Sequence, residues 1–427
     1  MNKEEITKSI KQLLVSYEDQ FMNEAFDREN PIVRLHEPTF GSDEIWEALD
    51  SLLTTRVTMG AKVHQFEKEF NDLHKFAHSM MVNSGSSANL LAFAALCNPS
   101  MPNRLNPGDE VIVPALSWST TVWPIIQHGL VPVIVDIDPV TLNLDPNAVE
   151  AAITDKTKAI MLVHVYGNPC DMSAIMSIVQ CRNLQLVEDC CEALGAYYDG
   201  KAVGSFGRIG TFSFYFSHHM TTLEGGMCVT DDNDCAEMIR ILRAHGWVRE
   251  TDDQQPYLVQ YPDIDPRFLF VNLGYNLRVT EIQGGFGSVQ LPKLKGFVDI
   301  RRDNANYWRT ELGNLEEYFE FQEETPGGHH SRFGFPMSVK KSAPFSVHEL
   351  TKFLNGRGIE TRPIIAGNIA AQPALKLYPH RVVGELPHSN HVMDSGFTFG
   401  NHQAIDSAAR EYVAECVQDF VAERVAV

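Results

Sequence analysis

Four segments of this chain carry residue types suited to chemistry, and their order along the sequence matters as much as their content. Asn83-Ser84-Gly85-Ser86-Ser87-Ala88-Asn89 precedes the apolar stretch Leu90–Leu96. Small side chains let backbone N–H groups close on an anion, and a helix start adds the positive end of its dipole. Gly85, Ser86 and Ser87 are therefore candidate phosphate contacts. In Pro114-Ala115-Leu116-Ser117-Trp118-Ser119-Thr120-Thr121, the indole of Trp118 follows an apolar strand candidate and suits stacking on a flat heteroaromatic ring. In Val187-Glu188-Asp189-Cys190-Cys191-Glu192, a carboxylate at a buried strand end, Asp189, can keep a ring nitrogen protonated. Glu192 is spaced to touch a hydroxyl on that ring or to orient a substrate. The last segment runs from Ser213-Phe214 through Ser217-His218-His219-Met220 to Thr221-Thr222-Leu223-Glu224-Gly225-Gly226. His218 has a side chain that moves protons near neutral pH, and the Ser213 hydroxyl is a further anion contact.

Each segment alone also has a structural reading. Gly and Ser before a helix are common caps, a Trp is more often buried in a core, and an Asp after a strand often caps the next helix. Adjacent side chains on an extended segment point to opposite sides, so only one of His218 and His219 faces a common site. His219 is then structural or at an interface.

Short apolar strand candidates alternate with helical stretches and would position these segments: Val111–Ala115, Val131–Val135, Ala159–Val163, Leu184–Val187, Gly210–Phe216 and Met227–Thr230. That rhythm belongs to an α/β fold with a mainly parallel sheet covered by helices. Residues 4 to 26 place Ile6, Ile10, Leu13, Leu14, Tyr17 and Phe21 at helical spacing. The resulting division is a helical extension over 1–40, a large α/β domain over 41–290 and a smaller α+β domain over 291–427.

A formal charge of −20 argues against nucleic acid or an anionic membrane as partner, so an anionic substrate needs a local basic pocket. No apolar run reaches a membrane span of about 18 residues, and Met1-Asn2-Lys3-Glu4-Glu5 lacks the apolar core of a secretory signal. The expected location is cytoplasmic. The 8 cysteines form no CxxC pair, so neither a disulfide framework nor a metal site is expected, and Cys190-Cys191 reads as packing. Asp231-Asp232-Asn233-Asp234 and Asp252-Asp253 read as solvated turns rather than cation sites.

Taken together, the phosphate loop, the aromatic, the Asp and the Ser213–Gly226 segment resemble the DegT/DnrJ/EryC1/StrS group of pyridoxal phosphate (PLP) enzymes. These enzymes modify nucleotide-linked keto-sugars. The resemblance extends through Leu273-Gly274-Tyr275-Asn276-Leu277-Arg278. It implies an aspartate-aminotransferase-like (type I) fold with a mainly parallel seven-stranded sheet. It also implies a homodimer in which Asn276 reaches the phosphate of the other subunit's cofactor.

His218 stands where that group's SF-x-x-x-K-x-x-T-x-x-E-G-G pattern keeps its lysine. An amine can hold PLP covalently and imidazole cannot, so PLP, or its amine form PMP, must be bound noncovalently. Histidine here resembles the sugar 3-dehydratase branch. That implies removal of the C3 hydroxyl from a nucleotide-linked 4-keto-6-deoxy sugar with L-glutamate as amino donor and His218 as base, in dideoxysugar formation for a cell-surface polysaccharide.

Two kinds of 3-dehydratase exist in that branch. The CDP-linked kind resembles this chain in Val382-Val383-Gly384-Glu385-Leu386, but it holds an iron–sulfur cluster on cysteines. The matching stretch here has Thr251 and Asp253, with no cysteine between Cys235 and Cys416. Thiolate ligands are absent, so no iron–sulfur cluster is expected. The GDP-linked kind is matched by Ala244-His245-Gly246-Trp247, Arg362-Pro363-Ile364 and Gly400-Asn401-His402-Gln403. A CDP-linked substrate, an aminotransferase working by another route and an inactive cofactor-binding homologue are the alternatives. Arg249, Arg278 and Arg362 are candidates for diphosphate or carboxylate, because guanidinium grips both in bidentate fashion.

Overall fold

The computed structural model describes residues 1–22, 25–37 and 39–425. The expected N-terminal helix runs Lys3–Phe21 (α1), capped reciprocally by Asn2 and Glu5. Residues 23 and 24 of the expected 4–26 stretch lie outside the described residues. α1 rests on α2 (Ser42–Leu53), where Glu18 accepts from the Ser42 amide at 2.7 Å and the Lys11 ammonium lies 4.5 Å from the Trp46 ring centre. None of its residues is buried, and Leu13, Tyr17 and Phe21 face outward.

The large sheet is built from β1 (His78–Val82), β2 (Glu110–Pro114), β3 (Val131–Val135), β4 (Thr157–Val163), β5 (Gln185–Asp189) and the strands Ile209–Ser213 and Gly226–Thr230. Every strand candidate named from the sequence is present, with ends shifted by a few residues. β1 is the strand that pattern reading missed. The spatial order is β1, Gly226–Thr230, Ile209–Ser213, β5, β4, β2, β3, and only Gly226–Thr230 runs antiparallel to its neighbours. An eighth, two-residue strand, Arg381–Val382, pairs parallel to β3, so the sheet exceeds the expected seven strands by one contributed from the C-terminal third. The central strands are apolar on both faces because helices cover both sides, which removes the alternation that marks half-exposed strands.

Two of the covering helices are α3 (Ala61–His74) and α4 (Gly85–Leu96). Beneath them the buried Arg243 donates to Glu67 at 2.6 Å and to the Met81 carbonyl at 2.8 Å, while Glu67 also accepts from the Met81 amide at 2.7 Å. A guanidinium taken out of water demands such pairing.

A second, antiparallel sheet orders Phe319–Phe321, Phe335–Val339, Gly396–Phe399 and Thr361–Arg362. Its core packs Trp308, Phe335 and Phe399 against the helices Leu294–Glu311 and Ser407–Val425. Leu375 and Leu386 instead join the core of the large sheet, so the chain crosses back before completing the small one.

A short strap, residues 33–36, is stitched to the small sheet. The Val33 amide donates to the Gly358 carbonyl at 2.8 Å and the Glu360 amide to the Val33 carbonyl at 2.9 Å. Among the described residues no helix is long and apolar enough to cross a membrane.

Candidate active site

The C-terminal ends of the parallel strands gather the expected residues in one place, as open α/β sheets do. β1 leads through Asn83 into α4. Ser84 caps that helix by accepting from the Ser87 amide at 3.1 Å, and this leaves the Gly85 and Ser86 amides for an anion. A Cβ on Gly85 would lie 2.5 Å from Ser213 Cβ and 2.8 Å from Cys191 Sγ. Glycine is therefore required by close approach to the neighbouring strand end, and that approach places Ser213 beside the loop. Ser86 Oγ lies 2.9 Å from Thr120 Oγ1, joining the loop to α5 (Ser119–Gln127).

Asp189 ends β5. One of its oxygens accepts from Asn89 Nδ2 at 2.9 Å and Thr121 Oγ1 at 2.8 Å, and the other accepts from the Cys191 amide at 3.1 Å. All three donors are neutral, and among the described residues no cation lies within salt-bridge distance of Asp189, an arrangement that suits a protonated ring nitrogen as a further partner. The helix-cap reading of Asp189 does not apply, because no helix follows it.

Trp118 is 56% exposed at the start of α5, and the core reading of this residue is excluded. Cys190 is buried packing, as expected, and Cys191 lies directly beneath Gly85.

His218 follows the strand Ile209–Ser213 on a turn closed by its own amide donating to the Tyr215 carbonyl at 3.0 Å. Its ring packs on Phe333, with centroids 5.1 Å apart, and its Nδ1 is buried without a hydrogen-bond partner. Burial, with added repulsion from His36, Arg301 and Arg362, pushes its pKa down to about 3. The imidazole is therefore neutral at pH 7, the form a general base requires. His219 points the other way, fully buried, with Nε2 3.1 Å from the Ser331 carbonyl.

Opposite His218 lies a polar group of Glu192, Tyr166, Arg362 and His36. Glu192 accepts from the Tyr166 amide at 2.9 Å, and burial raises its pKa to about 7. Tyr166 holds φ at 56°, a left-handed value that non-glycine residues seldom adopt, where it turns its amide onto Glu192. Arg362 approaches His36 Nε2 at 3.4 Å, and among the described residues no carboxylate lies within 4.0 Å of it.

Arg249 and Arg278 are not brought into this group. Arg278 donates to Asn276 Oδ1 at 3.1 Å and lies 3.2 Å from His245 Nε2, while Arg249 lies over the Trp247 ring at 5.7 Å. Asn276 is exposed in the same patch, which abuts the phosphate loop because the Asn83 amide donates to the Leu277 carbonyl at 3.0 Å.

The aspartates of 231–234 and 252–253 act as caps and surface pairs. Asp232 caps the helix Asn233–Arg243, and Asp252 pairs with Arg240 at 3.0 Å. Among the described residues one buried cluster, His164, Glu188 and Cys190, has metal-like proximity. Its carboxylate is already occupied by the Gly204, Phe206 and Gly207 amides, and the Cys170 amide uses His164 Nδ1, so the cluster serves the fold.

Sequence reading missed Phe333, Tyr166, His36 and Arg301. All four come from segments remote from the four motifs and lack any spacing that marks them. Asn89 and Thr121 lay inside the quoted motifs, and their polarity at the base of apolar helices was the available signal.

A planar, phosphorylated pyridine such as PLP fits these residues. The loop that a Cβ on Gly85 would fill takes the phosphate, Trp118 offers an exposed ring face, and Asp189 has unshared capacity at the strand end.

The comparisons with known proteins agree. Residues 38–418 match the DegT/DnrJ/EryC1/StrS aminotransferase family. The GDP-4-keto-6-deoxy-D-mannose 3-dehydratase of Yersinia pseudotuberculosis is 43% identical over 350 residues, 81% of this chain and 88% of that protein. The lipopolysaccharide biosynthesis protein RfbH of Salmonella typhimurium strain LT2 is 36% identical over 436 residues, 98% and 99% of the two chains. A crystal structure of GDP-4-keto-6-deoxymannose-3-dehydratase with a trapped PLP-glutamate geminal diamine superposes with a TM-score of 0.83 at 38% identity, covering 90% of this chain and all of that one. Sequence, fold and site geometry thus converge: the chain belongs to the DegT/DnrJ/EryC1/StrS aminotransferase family, on the aspartate-aminotransferase-like α/β fold.

Proposed function

We propose that this protein is a PLP-dependent nucleotide-sugar 3-dehydratase. In this reading it removes the C3 hydroxyl of GDP-4-keto-6-deoxy-D-mannose with L-glutamate as amino donor, and yields a 3,6-dideoxy-4-keto sugar, 2-oxoglutarate and ammonia. The observation that carries this reading is a neutral, enclosed histidine, His218, where an aminotransferase keeps its lysine, within an otherwise complete cofactor cradle.

When bound, the cofactor in its amine form supplies a nitrogen for the sugar C4 ketone and a ring that accepts electrons. The chain's residues do the rest. Gly85, Ser86, Ser87 and Ser213 would hold the phosphate, Trp118 would cover the ring, Asp189 would keep its nitrogen protonated and Glu192 would meet its hydroxyl. His218 would hold at its unpartnered Nδ1 the proton released when the amine-bearing carbon of the cofactor gives up its electrons to the ring, and would pass it from that nitrogen to the C3 hydroxyl, which leaves as water. No amine stands at position 218 to deliver a proton to C4, and this favours elimination over transamination. Arg362 suits the donor carboxylate, because it lies near His218 and, among the described residues, no carboxylate lies within 4.0 Å of it. Arg249 and Arg278 suit the diphosphate.

The same reading includes a homodimer. Exposed Trp118, Tyr215, Phe216 and Leu223 around the site, with Leu273 at 93% exposure beside Asn276, support a partner copy that completes it. Residues 41–290 then form most of the cofactor-binding domain, joined by the stretch from Leu375 to Leu386 that enters its core and sheet, and the rest of 291–427 forms the smaller domain that supplies Arg362, with 1–40 as an extension. The protein works in the cytoplasm, where nucleotide sugars are made.

The test measures ammonia and 2-oxoglutarate with the keto-sugar, PLP and glutamate present and no reductase added. Release of ammonia, and of 2-oxoglutarate beyond one equivalent per site, only when the sugar is present supports the reading. An absence of ammonia from active holoenzyme overturns it.

A further inference from the structure

The strap at residues 33–36 precedes the family-matched region, which begins at 38, yet it delivers a side chain to the site. Its backbone is fixed independently of any ligand. Besides the Val33 ladder, the Leu35 amide donates to Glu360 Oε2 at 2.9 Å and His402 Nε2 lies 3.0 Å from the Arg34 carbonyl. Gly400 packs directly against that same carbonyl, leaving no room for a side chain.

So anchored, the strap places the His36 ring between Phe333 and Phe216, with centroids 6.3 Å and 6.1 Å away. Phe333 is also the ring on which His218 packs. His36 Nε2 meets Arg362 Nη1 at 3.4 Å. A guanidinium has no acceptor capacity, so Nε2 must present its lone pair, and the ring is a neutral acceptor. Burial and the two nearby guanidinium groups, Arg362 and Arg301, oppose its protonation. Arg362 sits on a two-residue strand, with the Tyr166 hydroxyl as its other polar neighbour among the described residues. His36 therefore supplies the side chain's second fixed point.

We propose that His36 is a positioning residue for the amino donor: it accepts a hydrogen bond from Arg362 and so aims the guanidinium at a carboxylate of a dicarboxylic amino acid. This rests on the reading of Arg362 as the donor-carboxylate site given above. Preorganising a long arginine side chain should tighten carboxylate binding without touching the nucleotide.

The experiment measures dissociation constants of glutarate, an unreactive dicarboxylate, and of GDP by calorimetry on PLP-loaded wild type, His36→Ala and His36→Gln. Gln keeps an acceptor near the position of Nε2. The inference expects glutarate binding weakened on the order of tenfold in His36→Ala, recovered to within about twofold in His36→Gln, and GDP binding equal in all three. Unchanged glutarate affinity in His36→Ala overturns it, as does equal loss in both variants. Wild type that binds GDP but no glutarate overturns the donor-site reading and this assignment with it.

Discussion

The His218 and Phe333 rings lie 5.1 Å apart at 30°, so a side chain from much further along the chain forms one wall of the pocket around His218. That wall removes water from His218 and keeps it neutral. Replacing His218 by Asn keeps a polar side chain but removes the base. Turnover should fall about 10²- to 10⁴-fold, while PLP absorbance and the melting temperature stay near wild type. Steady-state rates with matched cofactor titrations check this.

Glu192 titrates near neutrality because burial raises its pKa to about 7, whereas His218 does not titrate there, its pKa being about 3. Above about pH 7 an ionised Glu192 competes with the donor for Arg362. Glutarate affinity should therefore fall between pH 6 and pH 8 (roughly the unit either side of that pKa) in wild type and stay flat in Glu192→Gln. The sign for stability follows from the same shift. An acid whose folded pKa is raised is protonated in the fold after it has ionised in the unfolded chain. Stability is thus lost as pH rises from the ordinary carboxylate range toward 7. Glu192→Gln should melt higher than wild type at alkaline pH, which calorimetric scans across pH would reveal.

The phosphate loop depends on having no side chain at Gly85. Adding a methyl group forces Ser213 or Cys191 aside. Gly85→Ala should weaken PLP affinity at least about tenfold and cost about 1–3 kcal/mol of stability. Fluorescence titration with PLP and denaturant unfolding measure the two effects separately.

Arg243 and Glu67 form an enclosed pair beneath α3 and α4, outside the proposed cofactor contacts. Removing one partner strands the other, so Arg243→Ala should lose about 3–5 kcal/mol, with PLP affinity preserved in whatever fraction remains folded. Urea unfolding of the variant at neutral pH provides the comparison.

Much of this site was legible because its chemistry is local. Asp189 and Ser213 end strands that apolar runs announce, His218 follows the second of these by one turn, and Gly85 opens the apolar helix α4. The sheet was legible for the same reason, apart from β1, whose His-Ser-Met-Met-Val lacks the Val/Ile density of the other strands. What sequence could not reveal depends on long-range approach. Phe333, Tyr166 and His36 carry no motif, and they meet His218 only because the small sheet packs over the strand ends. Arg381–Val382 is two residues long and pairs across more than half the chain, so no local pattern marks it. Trp118 was ambiguous for a related reason, since a lone indole after a strand suits either a core or an open ring face.

The central claim is that a histidine at position 218 directs the site to elimination. The most direct measurement is the mass of the sugar product after incubation of the holoenzyme with GDP-4-keto-6-deoxy-D-mannose and L-glutamate, without a reductase. The account predicts a nucleotide sugar lighter than the substrate by one oxygen. A product in which an amine has replaced the keto oxygen would contradict it.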